Sequence, residues 1–388
     1  GAPSVVTVDL DGDGDLDVVS CTGGWIIAWY ENTDGAGTFG GQNLISSGGV
    51  DCGEVYPADL DGDGDPDVLS VDSYNDTVAW HENRLNDGIN NDFNPAQQVI
   101  STAADGVLSV HAADIDGDGD VDVLSASDAD DTIAWYENRL NDGVNNDFNP
   151  AQQVISTAAD GADSVFAADL DGDGDQDVLS ASYGDDTIAW YENRLNDGIN
   201  NDFNPTQQVI STAADGANSV FAADLDGDGD QDVLSASYDD DKIAWYENRL
   251  NDGINNDFNP AQNVISTTAD LAITVSAADV DGDGDLDVLS ASRADHKIAW
   301  YENTTGTGVF SAEKVINASA VQAKCVTTGD VDGDGDLDVL SSSRTDMVIA
   351  WYQNLSIHRS ALFPQQSIIS TAADFPVDII AADVDGDG

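Results

Sequence analysis

Positive charge is what this 388-residue chain most lacks: 11 Lys and Arg face 75 Asp and Glu, a formal net charge of −64. Nucleic acid and anionic membrane surfaces are thereby excluded as partners, because no basic patch exists to displace counterions from phosphates. Also missing is any apolar run long enough to insert in a bilayer, although 41% hydrophobic content suffices for a large core. Helical periodicity is absent; the apolar residues come in short, β-prone runs between Gly, Asp and Asn. The usual marks of a catalytic centre are wanting too. There is no Gly-x-Ser-x-Gly elbow or Walker loop, and His81, His111, His296 and His358 fall at different points of different repeats. A protein that is not an enzyme is expected, with His81 and His111 as surface or strand-edge substitutions.

What the chain has in excess is aspartate, in one arrangement. The ladder Asp9-Leu-Asp11-Gly-Asp13-Gly14-Asp15-Leu-Asp17 returns as Asp59, Asp61, Asp63, Asp65 and Asp67, and as Asp114, Asp116, Asp118, Asp120 and Asp122. It returns again as Asp169, Asp171, Asp173, Asp175 and Asp177, and as Asp224, Asp226, Asp228, Asp230 and Asp232. The last complete copies are Asp279, Asp281, Asp283, Asp285 and Asp287, then Asp330, Asp332, Asp334, Asp336 and Asp338. A broken eighth, Asp383-Val-Asp385-Gly-Asp387-Gly388, ends the sequence. The first aspartates are 50, 55, 55, 55, 55, 51 and 53 residues apart, so one supersecondary unit is copied along the chain. Seven complete ladders of five hold almost half of all the acidic residues.

The ladder is read as a calcium loop. A hard dication takes about 6–8 oxygens, and carboxylates at the first, third and fifth positions converge on one centre only if the backbone curls tightly. Gly14, in the sixth position, permits that turn. The Asp15 carbonyl and the Asp17 carboxylate complete the expected shell. Magnesium, which keeps a small octahedron and several waters, fits less well, and no Cys or His enters any ladder, against zinc or copper. About seven structural calcium sites are therefore expected. The same loop opens an EF-hand, but the twelfth position holds Ser20, Ser70, Ser125, Ser180, Ser235, Ser290 or Ser341 where a bidentate Glu is required. The flanks are strand-like rather than helical.

Four strand signals follow one another within each repeat. In the unit 161–215 they fall at 164–168, 178–182, 187–193 and 207–211, separated by turn residues. Four short antiparallel strands per repeat describe a propeller blade. The expected fold is all-β: a seven-bladed β-propeller of four-stranded antiparallel blades, with a calcium loop between the first and second strand of each, and eight blades as the alternative. The propeller is placed at 1–374, in units 1–50, 51–105, 106–160, 161–215, 216–270, 271–321 and 322–374, and 375–388 is read as the start of an eighth repeat. Beginning without Met and stopping inside a ladder, the sequence is expected to be part of something longer. Each third strand carries a Trp, at 29, 80, 135, 190, 245, 300 or 351, and each fourth is preceded by a Phe. Both faces of an inner blade are covered, so interblade packing is the first reading of these aromatics and a carbohydrate platform the second. Four units insert a polar loop, 83–95, 138–150, 193–205 and 248–260, read as a turn network, with a second metal site at Asp197, Asn200 and Asp202 as the alternative.

Cys21 and Cys52 are expected on the face opposite the calcium loops, as two buried or free thiols or, alternatively, a disulfide; Cys325 reads as a strand residue. Sequons at Asn75, Asn303, Asn317 and Asn354 are compatible with secretion.

The ladder Asp-x-Asp-x-Asp-Gly-x-x-Asp between two strands, at this period, resembles the FG-GAP and VCBS-type repeats of integrin-α-like propellers. The name-giving letters occur as Gly1-Ala2-Pro3 and Phe39-Gly40, while Tyr56-Pro57 or Val-Phe-Ala stands elsewhere in place of Gly-Ala-Pro. The resemblance covers the whole chain. It implies an extracellular or cell-surface module for adhesion or for binding a glycan or protein ligand, or a structural subunit that assembles with copies of itself in a surface appendage, filament or matrix. The propeller of a polysaccharide-degrading enzyme is the weaker implication.

Overall fold

The computed structural model describes residues 5–22, 26–47, 52–86, 92–140, 148–149, 151–195, 203–204, 206–250, 258–259, 261–355, 363 and 366–370. Among these residues every strand belongs to one of seven four-stranded antiparallel sheets, each built from consecutive strands in sequence order. The fourth sheet is typical, with Ala162–Ala168, Asp177–Ser182, Thr187–Tyr191 and Gln208–Ser211. The first strands of successive sheets meet around a central channel and the fourth strands form the rim. The middle parts of the polar 83–95-type insertions, with Asp197, Asn200 and Asp202, lie outside the described residues, as do His358 and 375–388.

Strand composition follows from this placement. The second strand, Asp-Val-Leu-Ser-Ala-Ser in four consecutive sheets, is buried at every position because neighbouring sheets cover both of its faces. Third strands are buried almost throughout, and the seven tryptophans are only 3–7% exposed. Packing, not a sugar platform, accounts for them. Each Trp lies against the next blade: Trp190 packs with Tyr246 and Phe258, and Trp80 with Tyr136 and Phe148. Where the connecting loop is short, a glycine replaces the leucine of the longer loops over that ring. A Cβ on Gly37 would stand 2.3 Å from the Trp351 ring, and one on Gly308 would stand 2.2 Å from Trp245.

Seven blades close the ring. Val5, Val18 and Tyr30 of the first sheet share a core with Leu340, Ile349 and Trp351 of the seventh, with Phe39 packed against it. The eight-bladed alternative is thereby removed.

Three sequence expectations need correction or completion. Cys21 and Cys52 are bonded, with Cα atoms 6.0 Å apart, fastening the first blade to the second on the face away from the ladders. His81 and His111 are buried rather than at the surface. His81 stands where other blades have Tyr and, like them, meets the serine of the adjacent strand, Nε2 to Ser70 Oγ at 3.2 Å. Of the sequons, Asn303 and Asn354 are buried and their Nδ2 groups donate to main-chain carbonyls, so neither is a glycosylation site in the folded protein.

Candidate metal centres

Each ladder connects the first strand of a blade to the second on one face of the ring, and its backbone is fixed by its own carboxylates. The first aspartate accepts from two glycine amides: Gly172 N to Asp169 Oδ1 at 2.8 Å and Gly174 N to Asp169 Oδ2 at 3.1 Å. The fifth-position carboxylate accepts from the amide two residues on, as in Asp175 N to Asp173 Oδ1 at 3.0 Å. Both glycines take a positive φ in all seven ladders among the described residues, for example 74° at Gly172 and 98° at Gly174. The sequence pointed to the sixth position alone; the fourth-position glycine is equally required by the backbone.

The carboxylates come together as follows. Oxygens of the first, third and ninth positions lie within 4.8 Å of one another in Asp59/Asp61/Asp67, Asp114/Asp116/Asp122, Asp169/Asp171/Asp177 and Asp224/Asp226/Asp232. In the first blade the corresponding group is Asp9/Asp11/Asp13, and two further groups occur among the described residues. The seventh-position side chains stand outside these five groups; Asp65 Oδ1, for instance, accepts from Asn86 Nδ2 at 3.1 Å. The role expected of that position is its main-chain carbonyl, which leaves the carboxylate free for such a contact.

The ninth-position aspartate is the most buried and has a second duty. In the first blade Asp17 Oδ2 accepts from Leu10 N at 3.2 Å and Oδ1 from Asn32 N at 2.8 Å. That asparagine, the last residue of the Trp-Tyr-Glu-Asn segment, sends its side chain across the seam. Asn83 Nδ2 donates to Leu10 O at 2.9 Å, Asn138 Nδ2 to Leu60 O at 2.8 Å and Asn193 Nδ2 to Ile115 O at 2.8 Å. Asn248, Asn303 and Asn354 repeat the bond to Leu170, Leu225 and Val280, and Asn32 to Val331 closes the series. Each acceptor is the second residue of the preceding blade's ladder. Seven buried asparagines thus tie every ladder to its neighbour, a role that read from sequence as a strand-end turn.

The twelfth-position serine, where an EF-hand has Glu, is a packing residue of the second strand. It is buried in the blade, and in blades three to seven it pairs with the strand-three tyrosine, as in Ser125 Oγ to Tyr136 OH at 3.2 Å and Ser341 Oγ to Tyr352 OH at 3.0 Å.

Electrostatically the clusters are short of positive charge. Burial, then the neighbouring fifth-position Asp, pushes Asp11, Asp61, Asp116 and Asp171 up to about 6. Burial pushes Asp17, Asp67, Asp122, Asp177, Asp232 and Asp338 up to about 8, and Asp287 to about 7, against the opposing pull of their amide hydrogen bonds. Third-position Oδ1 atoms of Asp11, Asp61, Asp226, Asp281 and Asp332 are buried without any hydrogen-bond donor. Such an atom is costly unless a cation or proton meets it. An all-oxygen donor set with an orphaned buried oxygen fits a hard cation.

Seven overlapping segments, 9–70, 59–125, 114–180, 169–235, 224–290, 279–341 and 330–388, match the FG-GAP-like repeat. The chain belongs to the FG-GAP-like repeat family. No curated protein matches it in sequence. Among solved structures this FG-GAP-like propeller is similar to an Agrocybe aegerita lectin that recognises non-reducing terminal N-acetylglucosamine, with a TM-score of 0.56, 18% identity, and 88% and 85% of the two chains covered. It is also similar to a functionally unknown Desulfotomaculum acetoxidans protein, at 0.57 and 12% identity over 93% and 97%. A putative 6-phosphogluconolactonase from Bacteroides uniformis gives 0.54 and 13% identity over 97% and 98%. At these identities the likeness is one of fold, shared by binding proteins and enzymes alike. No helix among the described residues is long and apolar enough to cross a membrane.

Proposed function

We propose that this FG-GAP-like propeller is an extracellular, calcium-stabilised module for adhesion or for binding a glycan or protein, without enzymatic activity. The observation that carries the calcium reading is the recurrence of one buried, donor-poor carboxylate cluster in blade after blade. First-, third-, fifth- and ninth-position carboxylates would hold the ion. Bound calcium supplies the positive charge that those oxygens lack. Extracellular modules bind calcium at about 10⁻⁴–10⁻³ M, which suits a compartment with millimolar calcium. The disulfide between Cys21 and Cys52 supports the same compartment, since disulfides persist in oxidising surroundings. The lectin among its structural neighbours supports glycan binding as the activity. Probing glycan and matrix-protein arrays in calcium and in chelator tests this reading. Binding that chelation abolishes is the expected result, and absence of binding to either array in calcium would overturn it.

One observation favours a structural subunit as the second reading. Every rim strand exposes an aliphatic side chain: Leu44, Val99, Val154, Val209, Val264, Val315 and Ile368 are 48–59% exposed. Open strand edges carrying such residues are suited to joining copies side by side. Filaments seen by electron microscopy, lost in a Val154→Lys/Val209→Lys variant, would favour this reading over the first.

A further inference from the structure

Near-identical repeats make the exceptions conspicuous. The units 161–215 and 216–270 differ at a handful of positions, Asp163 against Asn218 among them. Two sets of equivalent positions vary together on one side of the ring. One is the second residue of the first strand, which is Gly53, Leu108, Asp163, Asn218, Ile273 or Lys324. The other follows the second strand and is Asp128, Tyr183, Tyr238, Arg293 or Arg344 in blades three to seven. Both sets line one cavity of about 540 Å³, the channel mouth on the face opposite the ladders. Positions that diverge between otherwise near-identical units and share one cavity mark a place where the ring is used asymmetrically.

The scarce positive charge is gathered there. Arg84, Arg139, Arg194 and Arg249 are committed to the carbonyls of Phe93, Phe148, Phe203 and Phe258. Lys242, Lys297 and Lys314 pair with Asp240, Asp295 and Glu302. The other three cations of the described residues, Arg293, Lys324 and Arg344, all line the mouth and come from adjacent blades six and seven. Across from them stand Asp163 and Asn218, hydrogen-bonded to each other. Between the walls lies an aromatic pair, Tyr183 and Tyr238, with ring centroids 6.1 Å apart; Tyr183 is 38% exposed. Arg293 Nη1 donates to Tyr238 OH at 3.2 Å, which orients the guanidinium at the rim of that pair.

Below the mouth the channel continues as a second cavity of about 390 Å³. One side of it is an aromatic arc, Tyr56, His111, Phe166 and Phe221, with successive centroids 4.8, 4.6 and 4.9 Å apart. The other side carries hydroxyls at the equivalent positions, Ser276 and Thr327.

We propose that this mouth binds the carboxylated end of an acidic sugar chain, one per ring, with its carboxylate on Arg293, Arg344 and Lys324. The sugar hydroxyls meet Asp163 and Asn218, and a ring face lies on Tyr183. Arginine is suited to a planar carboxylate because its fork can donate two parallel hydrogen bonds. Carboxylate and amide side chains opposite can accept from hydroxyls, and Glu54, Asp128 and Asp163 in the same lining favour a ligand with one negative charge over a polyphosphate with several. The cavity volume is that of an ordinary small-ligand site. Charges beyond roughly 8 Å are screened at physiological ionic strength, so the three cations are set against the three carboxylates of their own lining, Glu54, Asp128 and Asp163, rather than against the acidic exterior.

This inference rests on the glycan-binding reading, and the two fail separately. Calorimetry of the calcium-loaded chain with digalacturonate, and with a neutral disaccharide of equal size, gives the expected result if the acid binds at one per chain and at least ten-fold more tightly. Arg293→Gln/Arg344→Gln, and separately Lys324→Gln, are expected to erase that preference, while Tyr183→Ala weakens both sugars about ten-fold. The melting temperature checks that each variant is folded. Equal binding of both sugars, or binding untouched by these variants, would overturn the mouth as the site and leave the glycan reading standing. If neither disaccharide binds, the acidic-sugar site is overturned, and the arrays decide whether the general reading falls with it.

Discussion

The side-chain amide of Asn32 donates to the main-chain carbonyl of Val331 at 2.9 Å, joining the first blade to the last. Because Asn32 N also donates to Asp17 Oδ1 at 2.8 Å, the seam and the ladder of one blade share a residue. The acidic ladder of the first blade and the closure of the ring are consequently linked through Asn32.

Replacing such an asparagine leaves buried carbonyls without donors. Asn193 Nδ2 serves both Ile115 O, at 2.8 Å, and Gln176 O, at 2.9 Å. Asn193→Ala is expected to cost about 2–4 kcal/mol, since each stranded buried acceptor costs about 1–3 kcal/mol. A urea midpoint shift checks it. A change no larger than that of an exposed substitution would show that the seam bonds contribute little.

Gly174 separates conformation from space. A Cβ there would meet nothing within 4 Å, yet its φ is +98°. Gly174→Ala is therefore expected to weaken one cluster through backbone strain alone, of about 1–3 kcal/mol. The reading is one fewer calcium bound per chain by equilibrium dialysis, with the fold retained by circular dichroism.

Acidity acts on the chelated protein in the unusual direction. Asp17, Asp67 and their equivalents are raised by burial to about 8 when folded. A carboxyl whose folded pKa lies above its unfolded value of about 3.9 contributes stability that is present below that value and lost as pH rises through the folded pKa. The chelated protein should melt at progressively lower temperature from pH 5 to pH 9. Calcium competes with those same protons, so its affinity should rise over the same range. Calorimetric titration at three pH values checks both signs, and affinity that is flat or falls would contradict them.

Reduction of the Cys21–Cys52 bond, which closes a 31-residue separation, should destabilise the chain by about 3–4 kcal/mol on the chain-entropy estimate. Comparing the melts of wild type and Cys21→Ala/Cys52→Ala measures it. A difference under 1 kcal/mol would mean that the seam between blades one and two holds without the bond.

Much of the ring was legible because its units are copied. Spacing, strand order and the Trp and Phe series reported blade architecture directly, and periodic ladders reported where the acids gather. What was hidden depends on neighbours distant in sequence. Nothing local to Asn193 reveals that its partner is Ile115, 78 residues away, and the ring decides between thiols and the Cys21–Cys52 bond, which the sequence left open. His111 reads as polar in a strand, and only the ring places it between Tyr56 and Phe166. The channel mouth was illegible for the same reason: Arg293, Lys324 and Arg344 are scattered along the chain and meet only when the blades close.

The central claim is that calcium in the ladders holds the ring together through its seams. Differential scanning calorimetry of chelated protein, titrated with calcium, tests it most directly. Occupancy at a hundred times Kd should add roughly 2.7 kcal/mol per independent site, so the melting temperature is predicted to climb steeply as the ladders fill and then to level off near the seven equivalents that the ladders provide. A midpoint that does not move with calcium would contradict the account.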